Sequence, residues 1–590
     1  FEKTAGSDNV TVIPFDDVLN AFFSNSILDL KHFDAEDAKE TEQTVHQKFV
    51  TRKEQVMDQI VKELTAANAK AYKDLPTEMQ AYMSFIVNDV LLNGSKVLLK
   101  DKIDTEDKTY KAWKEEDSIG LGPYLQYAIS KNWVDTSKLS HYISTEGNYS
   151  DSNEVYEGLV SYLQEYLKSS LGFDKLIYKY MIKDGTISGK EVSLMLYEQK
   201  IISYNENQYN AVKSGKTGAY DFIRGKIQSL EITPGQLGLE PCTASAVVTD
   251  VNTGAVLACV SYPGYDNNRL ANTMDSAYYS QLVTGSSKPL YNNATQEKTA
   301  PGSTFKMLSA VAGLTEGVIN DSTIFTCTGQ FTKIVPGPKC WIHPGSHGSL
   351  NVTGAIQHSC NVFFSEMAYK MGQDSSGRFS NERGIKVLQK YAEMFGLNET
   401  SGLEIPESEP TISTEDAVRS SFGQGTNNYT TSQLAKYVTT VANKGTLYDL
   451  TFLNKIETVD GKLVKAYDPK FKAELSDVSD HTWNLVHKGM KNMVSANAVF
   501  KPLRQANFSM SGKTGTAQQS TLHPNHALFT GFAPSDAPEI AMSVRIANGA
   551  KSAFASEVGR DIVRYYFKLA EESEIIHNKA SVVTSETIGD

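Results

Sequence analysis

Ser303-Thr304-Phe305-Lys306, Ser359-Cys360-Asn361 and Lys513-Thr514-Gly515 stand in that order along the chain. Together they hold the groups that acyl transfer through a serine requires. A serine hydroxyl becomes a nucleophile when a base takes its proton, and Lys306 returns to the same side of a helix as Ser303. Lysine is a base only when neutral. Its reference pKa is ~10.4, so action near neutrality needs a fall of about three units, roughly 4 kcal/mol. Burial and a neighbouring cation both push that way, and Lys513 supplies the cation. Ser359 can relay a proton between Lys306 and the leaving group, with Asn361 orienting it. Thr514, Gly515 and Thr516 form the substrate-binding end, where two hydroxyls beside a lysine suit a carboxylate. The backbone N–H groups of Ser303 and Thr516 suit the oxyanion of a tetrahedral intermediate. No metal or organic cofactor enters that step.

Each motif is weak alone. Composition predicts Ser-x-x-Lys about three times by chance in a chain this long, and it occurs once, at Ser303. Ser-x-Asn recurs elsewhere, at Ser7, Ser203 and Ser495 among other positions, and Lys-Thr-Gly recurs at Lys216-Thr217-Gly218. Order separates the copies. Lys216 precedes Ser303 in helix-forming sequence and is read as a loop residue, whereas Lys513 lies in a strand-like run and is expected on an edge strand.

The elements that must position these groups follow from texture. The chain has 590 residues, 40% hydrophobic and 21% charged, which fits at least two globular domains and excludes collagen-like and largely disordered readings. The net charge of −12, with no basic block, argues against nucleic-acid binding. No apolar run approaches the ~18 residues of a membrane span. The chain starts at Phe1 without an initiator methionine and is expected to be a fragment. Residues 1–232 form a helix-rich domain: Phe49, Val56, Ile60 and Leu64 keep a helical period in 42–66, further helices are expected at 153–169, 174–184 and 189–202, and acidic residues are read as solvated faces. Residues 233–575 form an α+β domain and 576–590 a loose tail. Thr243–Thr249 and Ala255–Val260, joined by Asp250-Val251-Asn252-Thr253-Gly254, predict a hairpin with residue 259 opposite residue 246. A helix should follow Ser303 with Met307, Leu308, Val311 and Leu314 on one side. Strands are expected at 509–518, 527–533 and 539–547. A final helix, 557–569, carries an apolar stripe of Val558, Ile562, Tyr565, Tyr566 and Leu569. Strands, then helices, then strands, then a helix make an antiparallel sheet flanked by helices, not a βαβ repeat.

The three motifs form the signature of the penicillin-interacting serine acyl-transferases. The runs VVTDVNTGAVLACVSYPGYDNNRLAN (247–272), TAPGSTFKMLSAVAGLTEGVI (299–319), SSFGQGTNNYTTSQLAKYVTTVANKGT (420–446), SGKTGTAQ (511–518) and NHALFTGFAPSDAPEIAMSV (525–544) resemble the transpeptidase domain of class B penicillin-binding proteins. His347-Gly348-Ser349-Leu350 resembles the elongation-type branch. The resemblance covers 233–572 and implies that 1–232 is an incomplete non-catalytic pedestal. It implies peptidoglycan cross-linking: attack on the penultimate D-Ala of a D-Ala-D-Ala stem peptide, release of the last D-Ala, and transfer to a neighbouring amine. It also implies inhibition by β-lactams at Ser303, a membrane glycan polymerase as partner, and a site of action on the extracytoplasmic face of the cell membrane, anchored by a helix upstream of Phe1. A β-lactam sensor or a D,D-carboxypeptidase would use the same motifs. A class A β-lactamase is disfavoured by length and by the missing Glu-Leu-Asn segment, and a decayed scaffold by the intact motifs.

Five cysteines are too few for a disulfide-built fold. Cys327, Cys340, His343 and His347 are spaced as Cys-x12-Cys-x2-His-x3-His, with Cys360 inside the second motif, and structural zinc takes such ligands. The competing readings are a Cys327–Cys340 disulfide or packed thiols. The resemblance favours Cys327, Cys340, His347 and Cys360 as the zinc set, with His343 as substitute.

Overall fold

The computed structural model describes residues 2–5, 9–143, 151–240, 242–519 and 523–577. The expected tail lies, from residue 578 onward, outside the described residues. Two compact units are present: Pro14–Gly225, and a larger one composed of Phe1–Ile13 with Lys226–Asp590.

The smaller unit is helical. Its helix α1 (Glu40–Thr65) buries Val45, Phe49, Val56, Ile60 and Leu64, residues one or two turns apart that share a face. α2 (Ser152–Ser169), α3 (Leu171–Lys183) and α4 (Gly189–Glu198) follow. Asp151 caps α2 through the N–H groups of Asn153 and Glu154, and Ser188 and Glu191 form a capping box on α4. Phe49 stacks on Tyr178 with ring centroids 4.4 Å apart. One acidic residue departs from the solvated-face reading. Glu42 is fully buried, accepting hydrogen bonds from His32 Nδ1 at 2.7 Å and Gln199 Nε2 at 2.8 Å. That bond to Glu42 raises the pKa of His32.

Strands of the larger unit include β1 (Ala244–Asp250), β2 (Val256–Tyr262), β3 (Phe325–Cys327), β4 (Gly348–Leu350), β5 (Ser511–Ala517), β6 (His526–Ala533) and β7 (Ile540–Ile546). Five of them form one antiparallel sheet in the order β5-β6-β7-β1-β2, so β5, with Lys513, is an edge strand. The β1–β2 hairpin is present, but its register shifts between Val248 and Thr249, and Cys259 stands opposite Val247. The expected partner was residue 246; the irregularity moves the pairing by one.

Helices α5 (Lys306–Thr315), α6 (Asn361–Met371), α7 (Thr431–Ala442), α8 (Asp480–Ala496) and α9 (Ser552–Tyr566) surround this sheet. β6 alternates between two cores, as a strand covered on both faces must. Leu528 and Phe532 join Phe305, Leu308 and Val438, whereas Phe529 joins Met542, Val544 and Val563. Two helices differ from their sequence pattern. α5 buries every residue from Lys306 to Gly313, so it is a central helix without the single apolar side that was expected. α9 begins at Ser552 and buries Ala553, Ala555, Gly559 and Val563, while Val558, Tyr565 and Tyr566 of the expected stripe are exposed. The reason is close approach. A Cβ at Gly559 would lie 2.5 Å from Phe529, so only the small-residue face can meet the sheet.

Candidate active site

Ser303 sits on a 3₁₀ turn, Gly302–Phe305, that runs directly into α5. In a 3₁₀ turn residues i and i+3 eclipse, which stacks Lys306 on Ser303 and sets Lys306 Nζ 3.0 Å from Ser303 Oγ. Gly302 has φ +52°, and a Cβ there would lie 2.5 Å from the Thr516 carbonyl oxygen. Glycine therefore lets the nucleophile turn press against β5. A second glycine fits beneath the first: Gly302 N–H donates to the Gly423 carbonyl at 3.0 Å, and a Cβ on Gly423 would fall 1.9 Å from the Gly302 oxygen.

Ser359-Cys360-Asn361 joins the helix Val352–Gln357 to α6. Ser359 takes φ +52°, the left-handed conformation that commonly ends a helix and usually selects glycine. The N–H of Cys360 returns to the Ala355 carbonyl at 3.0 Å, and Cys360 then caps α6 by accepting from Phe363 N–H at 3.5 Å. This two-helix corner turns Ser359 and Asn361 toward Lys306. Lys306 Nζ donates to the Ser359 carbonyl (2.7 Å), Ser359 Oγ (3.1 Å) and Asn361 Oδ1 (2.7 Å). Asn361 Nδ2 donates to the Lys339 carbonyl at 3.1 Å, which fixes the amide so that its oxygen faces the lysine.

Lys513 reaches the same serine from β5. Its Nζ lies 2.9 Å from Ser359 Oγ and also contacts Thr514 through the carbonyl (2.8 Å) and Oγ1 (3.3 Å). Both lysines have no exposed surface, and Ser303 retains 8%. The two amines thus share one buried hydroxyl, that of Ser359. Gly515 packs on Thr304, with a Cβ there 2.8 Å from Thr304 Cγ2. The two threonines are not equivalent. Thr514 is 1% exposed and its hydroxyl accepts from Lys513, whereas Thr516 is half-buried.

Cys327 ends β3, His347 precedes β4, and β3 pairs with β4 so that Cys327 faces Gly348. Cys340 and Cys360 join them. The ligand atoms of Cys327, Cys340, His347 and Cys360 all lie within 4.8 Å of one another. His347 Nδ1 stands 3.7 Å from Cys327 Sγ and 3.5 Å from Cys340 Sγ. All five cysteines are free thiols. The thiol of Cys340 is held low by the hydrogen bond from Cys360, while that pairing and burial raise Cys360. His343 is exposed and lies outside the cluster.

The penicillin-binding protein transpeptidase domain profile matches residues 244–565, more than half of the chain. The chain belongs to the penicillin-binding protein transpeptidase family. Among curated relatives, it is 29% identical over 451 residues to the peptidoglycan D,D-transpeptidase MrdA of Haemophilus influenzae, a match over 65% of this chain and 66% of that protein. It is 28% identical over 452 residues to MrdA of Escherichia coli K12, covering 64% and 68%. The chain therefore spans just under two thirds of the Haemophilus protein. Pseudomonas aeruginosa PBP2 in complex with WCK 5153 is similar in structure, with 25% identity, 60% of this chain and 76% of that one covered, and a TM-score of 0.48.

Within this transpeptidase family member, the second Lys-Thr-Gly is far from the site in character. Lys216, in the smaller unit, is exposed in a turn between helices Glu206–Lys213 and Ala219–Gln228. Two contributors escaped sequence reasoning. Gly423 lies inside a quoted run, but only the approach of the Gly302 carbonyl gives it a role. Lys339 contributes its backbone oxygen, a group every residue carries, and no side-chain signal could have marked it.

Proposed function

We propose that this chain is a serine D,D-transpeptidase of peptidoglycan. The observation that carries this reading is the convergence of Ser303, Lys306, Ser359, Asn361 and Lys513 in one buried hydrogen-bonded network. In the reacting form, neutral Lys306 takes the Ser303 proton as Oγ attacks the penultimate D-Ala carbonyl. Lys513, cationic and 2.9 Å from Ser359 Oγ, favours the neutral form of Lys306 by repulsion. The proton passes from Lys306 through Ser359 Oγ to the departing D-Ala amine, and Asn361 keeps Lys306 aligned. The N–H groups of Ser303 and Thr516 take the oxyanion, and Thr516 with Lys513 takes the terminal carboxylate. An amine of a neighbouring stem then resolves the Ser303 ester. β-Lactams acylate the same hydroxyl. A stem pentapeptide ending in D-Ala-D-Ala should release D-Ala, and release should require both Ser303 and an amine acceptor. Release without an acceptor would instead assign a D,D-carboxypeptidase, and acylation without release a β-lactam sensor.

The family resemblance supports an extracytoplasmic site of action beside a membrane glycan polymerase. Among the described residues, no helix is long and apolar enough to cross a membrane. We also propose that Cys327, Cys340, His347 and Cys360 hold a structural zinc. Three thiols and one imidazole at mutual distances within 4.8 Å fit a tetrahedral ion with Zn–S of ~2.3 Å and Zn–N of ~2.0 Å. Bound there, zinc would supply a cross-link and no chemistry. Metal analysis should find one zinc per chain, lost in Cys327→Ser; no metal together with two thiols missing from titration would indicate a disulfide.

A further inference from the structure

An apolar groove of about 1110 Å³ runs along the α9 side of the sheet. Its origin is geometric. Strands are spaced ~4.8 Å and a helix is ~10 Å wide, so one face of a five-stranded sheet has room for about two helices. Here α9 packs on β5, β6 and β7, and beside β1 and β2 the groove is lined at its end by Ile575, Ile576 and His577. Ala246, Val248, Ala258 and Val260 form the floor, and Val260 is 52% exposed.

The wall of the groove is the unexpected face of α9. Because α9 buries its small residues, Val558, Tyr565 and Tyr566 line the groove with 39%, 59% and 44% of their surface exposed. Amphipathic helices normally bury such residues. The rim is acidic. Glu240, Glu557 and Asp561 line it, and exposed Glu571, Glu572 and Glu574 stand at its end on and before α10 (Glu572–Ile575). Of the cations nearby, Arg560 is committed to Asp561 at 2.8 Å and to the Val499 carbonyl at 3.1 Å, and Arg564 pairs with Asp561 at 3.1 Å and Glu574 at 3.8 Å. Glu557 has no ion pair within 4 Å among the described residues, and burial raises its pKa. A half-buried carboxylate beside apolar surface, facing Arg560 on one side and like-charged Asp561 on the other, gains from a further cation brought in by a ligand.

We propose that this groove receives one amphipathic helix of a partner protein, apolar along the face that meets Val260 and Tyr565 and basic along the flank that meets Glu557. This mode lays a helix into a groove by its apolar face, and the acidic rim selects basic flanks. It is independent of the acylation chemistry.

A synthetic 18-residue helical peptide with leucines on one face and lysines on both flanks serves as probe, beside the same peptide with glutamates on its flanks. Fluorescence anisotropy with the intact chain should show the lysine peptide binding at least tenfold more tightly. Val260→Asp and Tyr565→Asp should each weaken it at least tenfold, and Glu557→Lys should reverse the preference. Fluorescent-penicillin labelling should be unchanged in all three variants, which reports an intact fold. Equal binding of the two peptides, or binding indifferent to Val260→Asp, overturns the proposal. So does self-association abolished by Val260→Asp, which assigns the groove to a second copy. Peptide binding seen only in a chain ending at His577 also overturns it, assigning the groove to residues 578–590.

Discussion

Lys216-Thr217-Gly218 and Lys513-Thr514-Gly515 are the same tripeptide in two surroundings. The first lies in a turn with its lysine in solvent. The second lies on β5 with Lys513 fully buried and 2.9 Å from Ser359 Oγ. A lysine in solvent has water for a neighbour, whereas Lys513 has the hydroxyl that it shares with Lys306. What separates the two copies is therefore the register that places the tripeptide and the burial that sets its lysine against Ser359, not the three letters.

The sharpest way to break this contrast is at its centre. Lys306→Ala should lower the rate of penicillin acylation by about 10³-fold, as loss of a general base does, with far-ultraviolet circular dichroism unchanged. Lys513→Ala should cost about 10²-fold in the same stopped-flow assay, through loss of the cation that faces Ser359. Lys216→Ala, its counterpart in the turn, should leave the rate within error; a large loss there would mean that the two copies had been assigned the wrong way round.

Two further measurements sharpen the role of the scaffold. Gly423→Ala forces a methyl group onto the Gly302 carbonyl, 1.9 Å away, and should destabilise the chain by about 2 kcal/mol and slow acylation, read by thermal unfolding and labelling together. His526 starts β6 and receives the Asn548 N–H at 3.0 Å; burial, helped by Arg545, pushes its pKa down to about 4. Between pH ~6.5 and about 4 the unfolded chain binds the proton that folded His526 refuses, so stability should fall with pH by up to ~1.4 kcal/mol per unit. In His526→Gln that slope should flatten, as measured by urea unfolding at several pH values.

Much of the site was legible because its chemistry is local in sequence. Ser303 and Lys306 are one turn apart, Ser359 and Asn361 flank one residue, and the β5 run announces a strand. The hairpin, the sheet's antiparallel character and the cysteine set with His347 in place of His343 were readable from pattern and resemblance. The remainder depends on tertiary approach. The offset of Cys259 comes from an irregularity at Val248 and Thr249 that no turn residue marks. The exposed stripe of α9 arises because Phe529 admits only Gly559, a pairing between distant strands and helices. Thr514 and Thr516 look alike in sequence, and only the depth of β5 separates the buried hydroxyl from the accessible one. Buried Glu42 looks like any surface glutamate until His32 and Gln199 close around it.

Peptide mapping by mass spectrometry after exposure to benzylpenicillin tests the central claim most directly. The account predicts one adduct of the mass of the intact drug, on the peptide carrying Ser303, persistent enough to isolate and absent in Ser303→Ala. An adduct on any other serine, or none at all, would contradict it.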